Sequence, residues 1–317
     1  MHMPDALLSP AVAVPAIAVS GGALVFACRR AARELDDRKV PLMGVLGAFV
    51  FAAQMINLPL VVIPGVSWHL IGAVLMASLL GPYSSFVVMA AVLVIQALLL
   101  GDGGLLALGC NVLNMGVISC FLGYGIYSAI CSWAGGARGR TIAALAAAIV
   151  SSTAAAVAAA IEIHLSGKNP VSLFSAIWLM GGVHFLFGIG EGVLTVAVLA
   201  FILRLRPVAV QGNAQVQPAA MRRFVLGGLA VSLLIGGVVS WWASSSPDGL
   251  EHAAAVFKWP EGESAFGGLM RPIENALASV PFLANAVIGL ATTALAFGIS
   301  LMLSGLAVRR SAASKAA

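Results

Sequence analysis

Residues 141–163 read TIAALAAAIVSSTAAAVAAAIEI, an alanine-rich run without glycine or proline that carries one charged side chain, Glu162. A helix rises 1.5 Å per residue, so about 20 apolar residues cover a hydrocarbon core ~30 Å thick. This run has that length and none of the polar–apolar alternation of a membrane β-strand. The rest of the chain repeats the theme. Of 317 residues, 61% are hydrophobic and 9% charged, whereas soluble globular domains carry about 25% charged residues. Composition therefore argues against a soluble globular domain and predicts an all-α polytopic membrane protein.

Apolar runs between breakers give nine candidate helices, at 10–28, 41–62, 69–80, 84–100, 106–130, 141–163, 173–203, 223–243 and 280–307. The third, HLIGAVLMASLL, is too short to cross comfortably. That predicts irregular backbone before it at membrane depth, tolerated where it is buried in protein or lines a cavity. The stretch RLRPVAVQGNAQVQPAAMRR (204–223) is polar, basic and proline-containing, and reads as a linker. The expected division is a seven-helix core at 1–205, a linker at 206–221 and a two-helix unit at 222–317, joined by a long acidic loop at 244–279. Cys28, Cys110, Cys120 and Cys131 show no CxxC spacing and read as small buried hydrophobes.

Basic residues set orientation. With the N-terminus outside and the C-terminus cytoplasmic, 14 of the 17 basic residues face the cytoplasm: Arg29, Arg30, Arg33, Arg38, Lys39, Arg138, Arg140, Arg204, Arg206, Arg222, Arg223, Arg309, Arg310 and Lys315. The same topology puts His2, His69, His164 and His252 at or near the outer face, with only His184 inside a span. Asp5, Asp102, Glu162 and the acids from Asp248 to Glu274 fall on that side, whereas Glu34, Asp36 and Asp37 are cytoplasmic. The expected location is the bacterial inner membrane.

The first ten residues, MHMPDALLSP, lack the basic start of a secretory signal. A histidine in second place is too large for methionine aminopeptidase, so Met1 is expected to stay. Its α-amine, the His2 amide nitrogen and the His2 Nδ1 then close a five-membered and a six-membered chelate ring in one plane. A fourth nitrogen completes the tetragonal site that suits Ni(II) or Cu(II). Zn(II) prefers a tetrahedron, and Ca(II) and Mg(II) want oxygen. His69, where a loop containing Pro64 and Gly65 enters the short third helix, is the candidate fourth donor. Because the amine and imidazoles bind only when deprotonated, affinity is expected to fall with pH.

MHMPDALLSP, GVSWHLIGAVLMASLLGP, LLLGDGGLLALGCNVLNMG and HFLFGIGEG occur in this order. Together they resemble the NikM/CbiM family, the substrate-binding (S) components of nickel and cobalt energy-coupling factor transporters, over residues 1–205. The resemblance implies a square-planar site made by Met1, His2 and His69. It also implies a transmembrane coupling subunit of NikQ/CbiQ type and ATP-binding subunits of NikO/CbiO type as partners. SSSPDGLEHA, in the tail, resembles the small NikN-type accessory subunit with its PDGLE module, fused here over 222–317. The chain departs from the family's usual start and loop at Met3, Ala6 and Trp68, and no departure removes a donor. SWHLIGAVL is closer to the nickel-type than to the cobalt-type loop, so nickel is favoured, with cobalt for cobalamin synthesis as the alternative.

Metal-bound imidazoles usually donate their other N–H to a nearby acceptor, which makes Ser67, Asp102, Asn111, Asn114 and His184 candidate supporting residues. Turn, cap and packing roles account for each of them equally well. Glu191 lies seven residues from His184, on the same helix face. The acidic 244–279 loop reads chiefly as a solvated segment. Neither HExxH nor the P-loop pattern occurs, so this chain is expected to be no enzyme and to depend on a partner for ATP hydrolysis. No resident cofactor and no nucleic-acid partner are expected; the metal is cargo. A non-transporting membrane metal sensor is the alternative of another class.

Overall fold

The computed structural model describes residues 2–34, 39–205, 218–260 and 267–316. Met1, most of the linker (206–217), Asp36, Asp37, Arg38 and Glu261 and Glu263 of the acidic loop lie outside the described residues. Among the described residues seven helices are long and apolar enough to cross a membrane, and together they make a multi-pass bundle. They include α1 (Pro10–Glu34), α4 (Pro82–Leu100), α5 (Leu108–Ala134), α6 (Gly136–Leu165) and α7 (Leu173–Leu205). The C-terminal unit adds α8 (Pro218–Gly237) and α11 (Pro281–Ala316).

Two of the nine expected runs are shorter. The run at 41–62 yields α2 (Lys39–Gln54), which stops eight residues early. Pro59 and Pro64 cannot continue a helix, and the chain instead makes a two-residue antiparallel ladder. In it β1 (Leu58–Pro59) pairs with β2 (Ser67–Trp68), Leu58 opposite Trp68. Val61 and Val62 at its tip are 94% and 67% exposed, so their hydropathy does not mark a span. The run at 69–80 yields only α3 (Ala73–Leu80), and residues 69–72 enter it as irregular backbone. Gly72 makes that entry possible at φ +76°, a conformation costly for a side-chain-bearing residue. All of α3 except Ser78 is buried, with Ala73, Val74, Leu75, Met76 and Ala77 at 0% exposure. Irregular backbone is satisfied here because protein, not lipid, surrounds it.

Alanine is the best helix former, and its small side chain lets neighbouring helices approach closely. The α6 face bearing Ala144, Ala148, Ala155 and Ala159 is fully buried. Opposite Ala148, Gly188 of α7 comes so near that a methyl group there would sit 2.5 Å from the Ile149 Cα. This contact holds α7 against the bundle and with it Trp68, whose ring packs on Gly190 and stacks on Phe187 at 6.5 Å. From the other side α8 and α11 pack along α2.

The acidic loop differs from the solvated segment expected. Residues 249–257 form α9 (Gly249–Phe257), capped by Asp248, which accepts from the Leu250 and Glu251 amides while the Glu251 carboxylate accepts from the Asp248 amide. A second short helix, α10 (Arg271–Ala276), follows. Far from being solvated, the Asp248 side chain is 14% exposed, because α9 is drawn down onto α7 and the β2 loop.

Candidate metal centre

Residues 2–9 fold back into the bundle as an arm ahead of α1. Both polar groups of the Met3 backbone are held by one side chain. Asn111 Oδ1 accepts from the Met3 N–H at 2.9 Å, and Asn111 Nδ2 donates to the Met3 carbonyl at 3.2 Å. The Gly104 N–H also donates to that carbonyl at 2.9 Å. Two residues on, Asp5 Oδ1 accepts from the Leu106 and Ala107 amides at 2.9 and 3.1 Å. The apolar anchors Met3 and Leu7 are 0% and 1% exposed. The arm is therefore docked by main-chain recognition plus burial, and the 101–107 turn is its receptor.

Docking brings His2 against His69, 67 positions away in sequence. Their rings stack at 5.3 Å between centroids, with 19° between planes. Metal–imidazole bonds are about 2 Å long, so both rings lie within reach of one ion. His69 Nδ1 lies 3.4 Å from the Leu70 carbonyl. That oxygen can only accept, which favours the proton on Nδ1 and the lone pair on Nε2. His69 Nε2 faces Asp248 Oδ2 at 3.8 Å, and His2 Nδ1 faces Asp102 Oδ1 at 3.4 Å. Each nitrogen suited to a metal thus also looks towards a carboxylate.

Burial pushes both imidazoles below the ordinary histidine range, His69 the further. The two rings are therefore neutral and ligand-ready at neutral pH. For Asp248 burial works the other way, raising the carboxyl, while the Glu251 amide that donates to it lowers it. Among the described residues no three His, Cys, Asp or Glu side chains converge as a metal cluster. The donors brought together are two imidazoles and the backbone of the arm.

The other predicted residues are placed as follows. Ser67 faces the C-terminal unit, its Oγ donating to the Ser246 carbonyl at 2.6 Å and its N–H to that of Pro247 at 2.8 Å. His184 lies beneath, bounding a small cavity with His69, Ser152 and Asp248, and its Nδ1 is 2.8 Å from the Met180 carbonyl. Asn114 is not brought to the histidines: its Nδ2 donates to Glu162 at 2.7 Å, and its buried Oδ1 meets no hydrogen-bond partner among the described residues. Met1, the remaining predicted donor, is outside the described residues. A cleft of about 680 Å³ opens beside His2, lined by Asp102 and Gly103 on one side and Glu251, Arg271 and Glu274 on the other.

Sequence reasoning singled out Glu191 beside His184 but missed Gln54 and Gln96. Glu191 Oε1 accepts from the Gly72 amide at 3.0 Å and so fixes the His69 loop to α7. Gln54 and Gln96, 4% and 1% exposed, form a hydrogen-bonded pair behind His2. Their signal was present, since an uncharged amide inside an apolar run needs a partner, but the run alone does not name it.

Comparison with known proteins places this arrangement. The family profile described as "Cobalt uptake substrate-specific transmembrane region" matches residues 2–209, and that of the PDGLE domain matches 222–306. A putative fused nickel transport protein NikMN of Archaeoglobus fulgidus is 36% identical over 265 residues, covering 81% of this chain and 82% of that one. The fused nickel transport protein NikMN of Rhodobacter capsulatus is 30% identical, with 96% of each chain covered. The cobalt transport protein CbiM of Sorangium cellulosum is 35% identical, covering 62% of this chain and 85% of its own. A crystal structure of a truncated transition metal transporter superposes with a TM-score of 0.58 at 36% identity, over 64% of this chain and 99% of the other.

Proposed function

We propose that this chain, which belongs to the CbiM family and carries a PDGLE domain behind it, captures Ni(II) and delivers it to an ATP-driven transporter as the substrate-binding membrane subunit. One observation carries the reading: the docked arm sets His2 ring-to-ring with His69 at 5.3 Å in a buried pocket. The Met1 amine, the His2 amide nitrogen, His2 Nδ1 and His69 Nε2 are the four donors. The fused nickel transport relatives support nickel as the cargo. The family's cobalt description and the CbiM relatives favour Co(II) as the second reading, to be decided by competition titration.

The bias of basic residues supports an outward-facing histidine end. Entry of a divalent cation into a negative interior is favourable by roughly 4.6 kcal/mol at about 100 mV. A nanomolar site holds its ion by about 12 kcal/mol. Release therefore requires the site to be taken apart, and this is the task assigned to the coupling and ATP-binding subunits. The sequence carries no P-loop with which this chain could perform it alone.

Two measurements test the assignment. Nickel-loaded protein is expected to be yellow and diamagnetic, as square-planar N4 coordination demands. Cells are expected to take up labelled nickel only when the coupling and ATP-binding subunits are present. Uptake that survives their deletion sinks the transport mechanism, and binding without any uptake leaves a sensor.

The pH dependence has a defined sign. His2 and His69 are already neutral at pH 7, so nickel displaces no imidazole proton there. The α-amine, with a reference pKa of about 7.7–8.0, and the His2 amide nitrogen each have to lose one. Affinity is expected to fall roughly 50–100-fold for each pH unit between about 7.5 and 6.5. A fall of only about tenfold per unit would exclude the amine as a donor.

A further inference from the structure

The hydrogen bonds behind His2 have only one consistent direction. At the far end the Ile71 carbonyl can accept but not donate, and Gln54 Nε2 lies 2.7 Å from it. Gln54 must therefore present its NH₂ to Ile71, leaving its Oε1 to face Gln96 Nε2 at 2.7 Å. Gln96 is then committed as donor on that side. What it turns towards His2 Nε2, at 3.2 Å, is its Oε1. An acceptor in that position requires His2 Nε2 to carry the proton, so the lone pair of the neutral ring belongs to Nδ1.

Resting on the functional reading above, the geometry points to Gln96 and Gln54 as positioning residues: a buried two-amide relay by which the Ile71 carbonyl sets the metal-binding tautomer of His2. Nδ1 is the nitrogen that closes the six-membered chelate ring with the His2 amide, so the relay presets the arm for cargo before cargo arrives. Asp102 pulls the other way. Its carboxylate, 3.4 Å from Nδ1, would favour a proton there. That alternative requires both amides to flip, which would set the Gln54 oxygen against the Ile71 oxygen. Both glutamines are buried, so neither has water to offset such a mismatch. The relay also links the two ligand arms, because Ile71 is two residues from His69 and the next amide, Gly72, is pinned by Glu191. Gln96 opens a π-helical turn, Gln96–Leu100, at the end of α4. Such turns often occur at functional sites.

The test uses the full chain with ¹⁵N-labelled histidine, His2 being assigned by difference from a His2→Gln variant. In the metal-free wild type the nitrogen shifts are expected to report a proton on Nε2. A proton on Nδ1 overturns the proposal without any further variant. Gln54→Met is the sharper arm, since Gln54 does not touch His2. It is expected to release Gln96, admit the Nδ1–H form and weaken nickel binding by about 10–100-fold, while the saturated complex stays yellow. Gln96→Met should do the same. If His2 in folded Gln54→Met stays wholly Nε2–H, or nickel binds within about twofold of wild type, the relay is wrong. A wild-type nickel complex that is not square planar overturns the functional reading instead, and the metal-free tautomer measurement is independent of that result.

Discussion

Inserting two leucines between Met1 and His2 is expected to abolish nickel capture, lowering affinity by at least about 1,000-fold, or ~4 kcal/mol. Leucine in second place keeps Met1 attached, and two residues avoid the amine–amide–amide–imidazole plane that a single inserted residue would itself offer nickel. The insertion leaves the arm's docking contacts intact, because these begin at Met3, where Asn111 holds both backbone polar groups. It also leaves His2 stacked on His69. What it removes is the spacing. The α-amine now lies three peptide units from the imidazole-bearing residue, too far along the chain to share one plane with that residue's amide nitrogen and Nδ1. A nickel titration followed by absorbance and calorimetry reads the effect directly, with thermal stability of the metal-free protein as the control for folding. Retention of near-wild-type affinity would remove the N-terminal chelate from consideration. A tag placed ahead of Met1 should act in the same way.

Replacing Asn111 with leucine is expected to loosen the arm. Asn111 is 3% exposed, and its amide matches the Met3 N–H and carbonyl as another strand would. Leucine fills the space but leaves the Met3 N–H buried without an acceptor, while the carbonyl keeps the Gly104 amide. An orphaned buried donor costs about 1–3 kcal/mol, equivalent to a shift of about 5–150-fold in the docking equilibrium. Hydrogen exchange of the Leu106 amide, which donates to Asp5 of the docked arm, measures that equilibrium in metal-free protein, because the amide exchanges from the open state. The rate is expected to rise by the same factor, and saturating nickel is expected to suppress it in both proteins. An unchanged rate would mean that burial of Met3 and Leu7, rather than the Asn111 clamp, holds the arm.

Much of the bundle could be read in advance, and the misreadings have physical causes. Alanine-rich 141–163 became a long helix because length, propensity and hydropathy agree there. The run at 41–62 was overread because hydropathy scores Val61 and Val62 alike whether they face lipid or cap a hairpin. Pro59 and Pro64 were the better guide. His2 could be read from chelate chemistry alone, whereas His69 was named as its partner by the expected outer-face topology and the family resemblance. Asp248 was grouped with a solvated acidic loop, since nothing local reveals that α9 docks on the β2 loop. Gln54 and Gln96 lie 42 positions apart and become a pair only when α2 and α4 pack together.

The clasp between the two parts of the chain has a consequence for copy number. Ser67 is held by the Ser246 and Pro247 carbonyls, and the Ser244 N–H donates to the Asn57 carbonyl at 2.7 Å, so the C-terminal unit grips the hairpin that leads to His69 at β2 and at the residue just before β1. Were the two parts separate proteins, occupancy of this grip would depend on how much of each the cell makes. Carried on one chain, the gripping segment meets its hairpin at a local concentration fixed by the tether. Each capture unit therefore comes with its own accessory unit, one to one, however sparsely the membrane is populated.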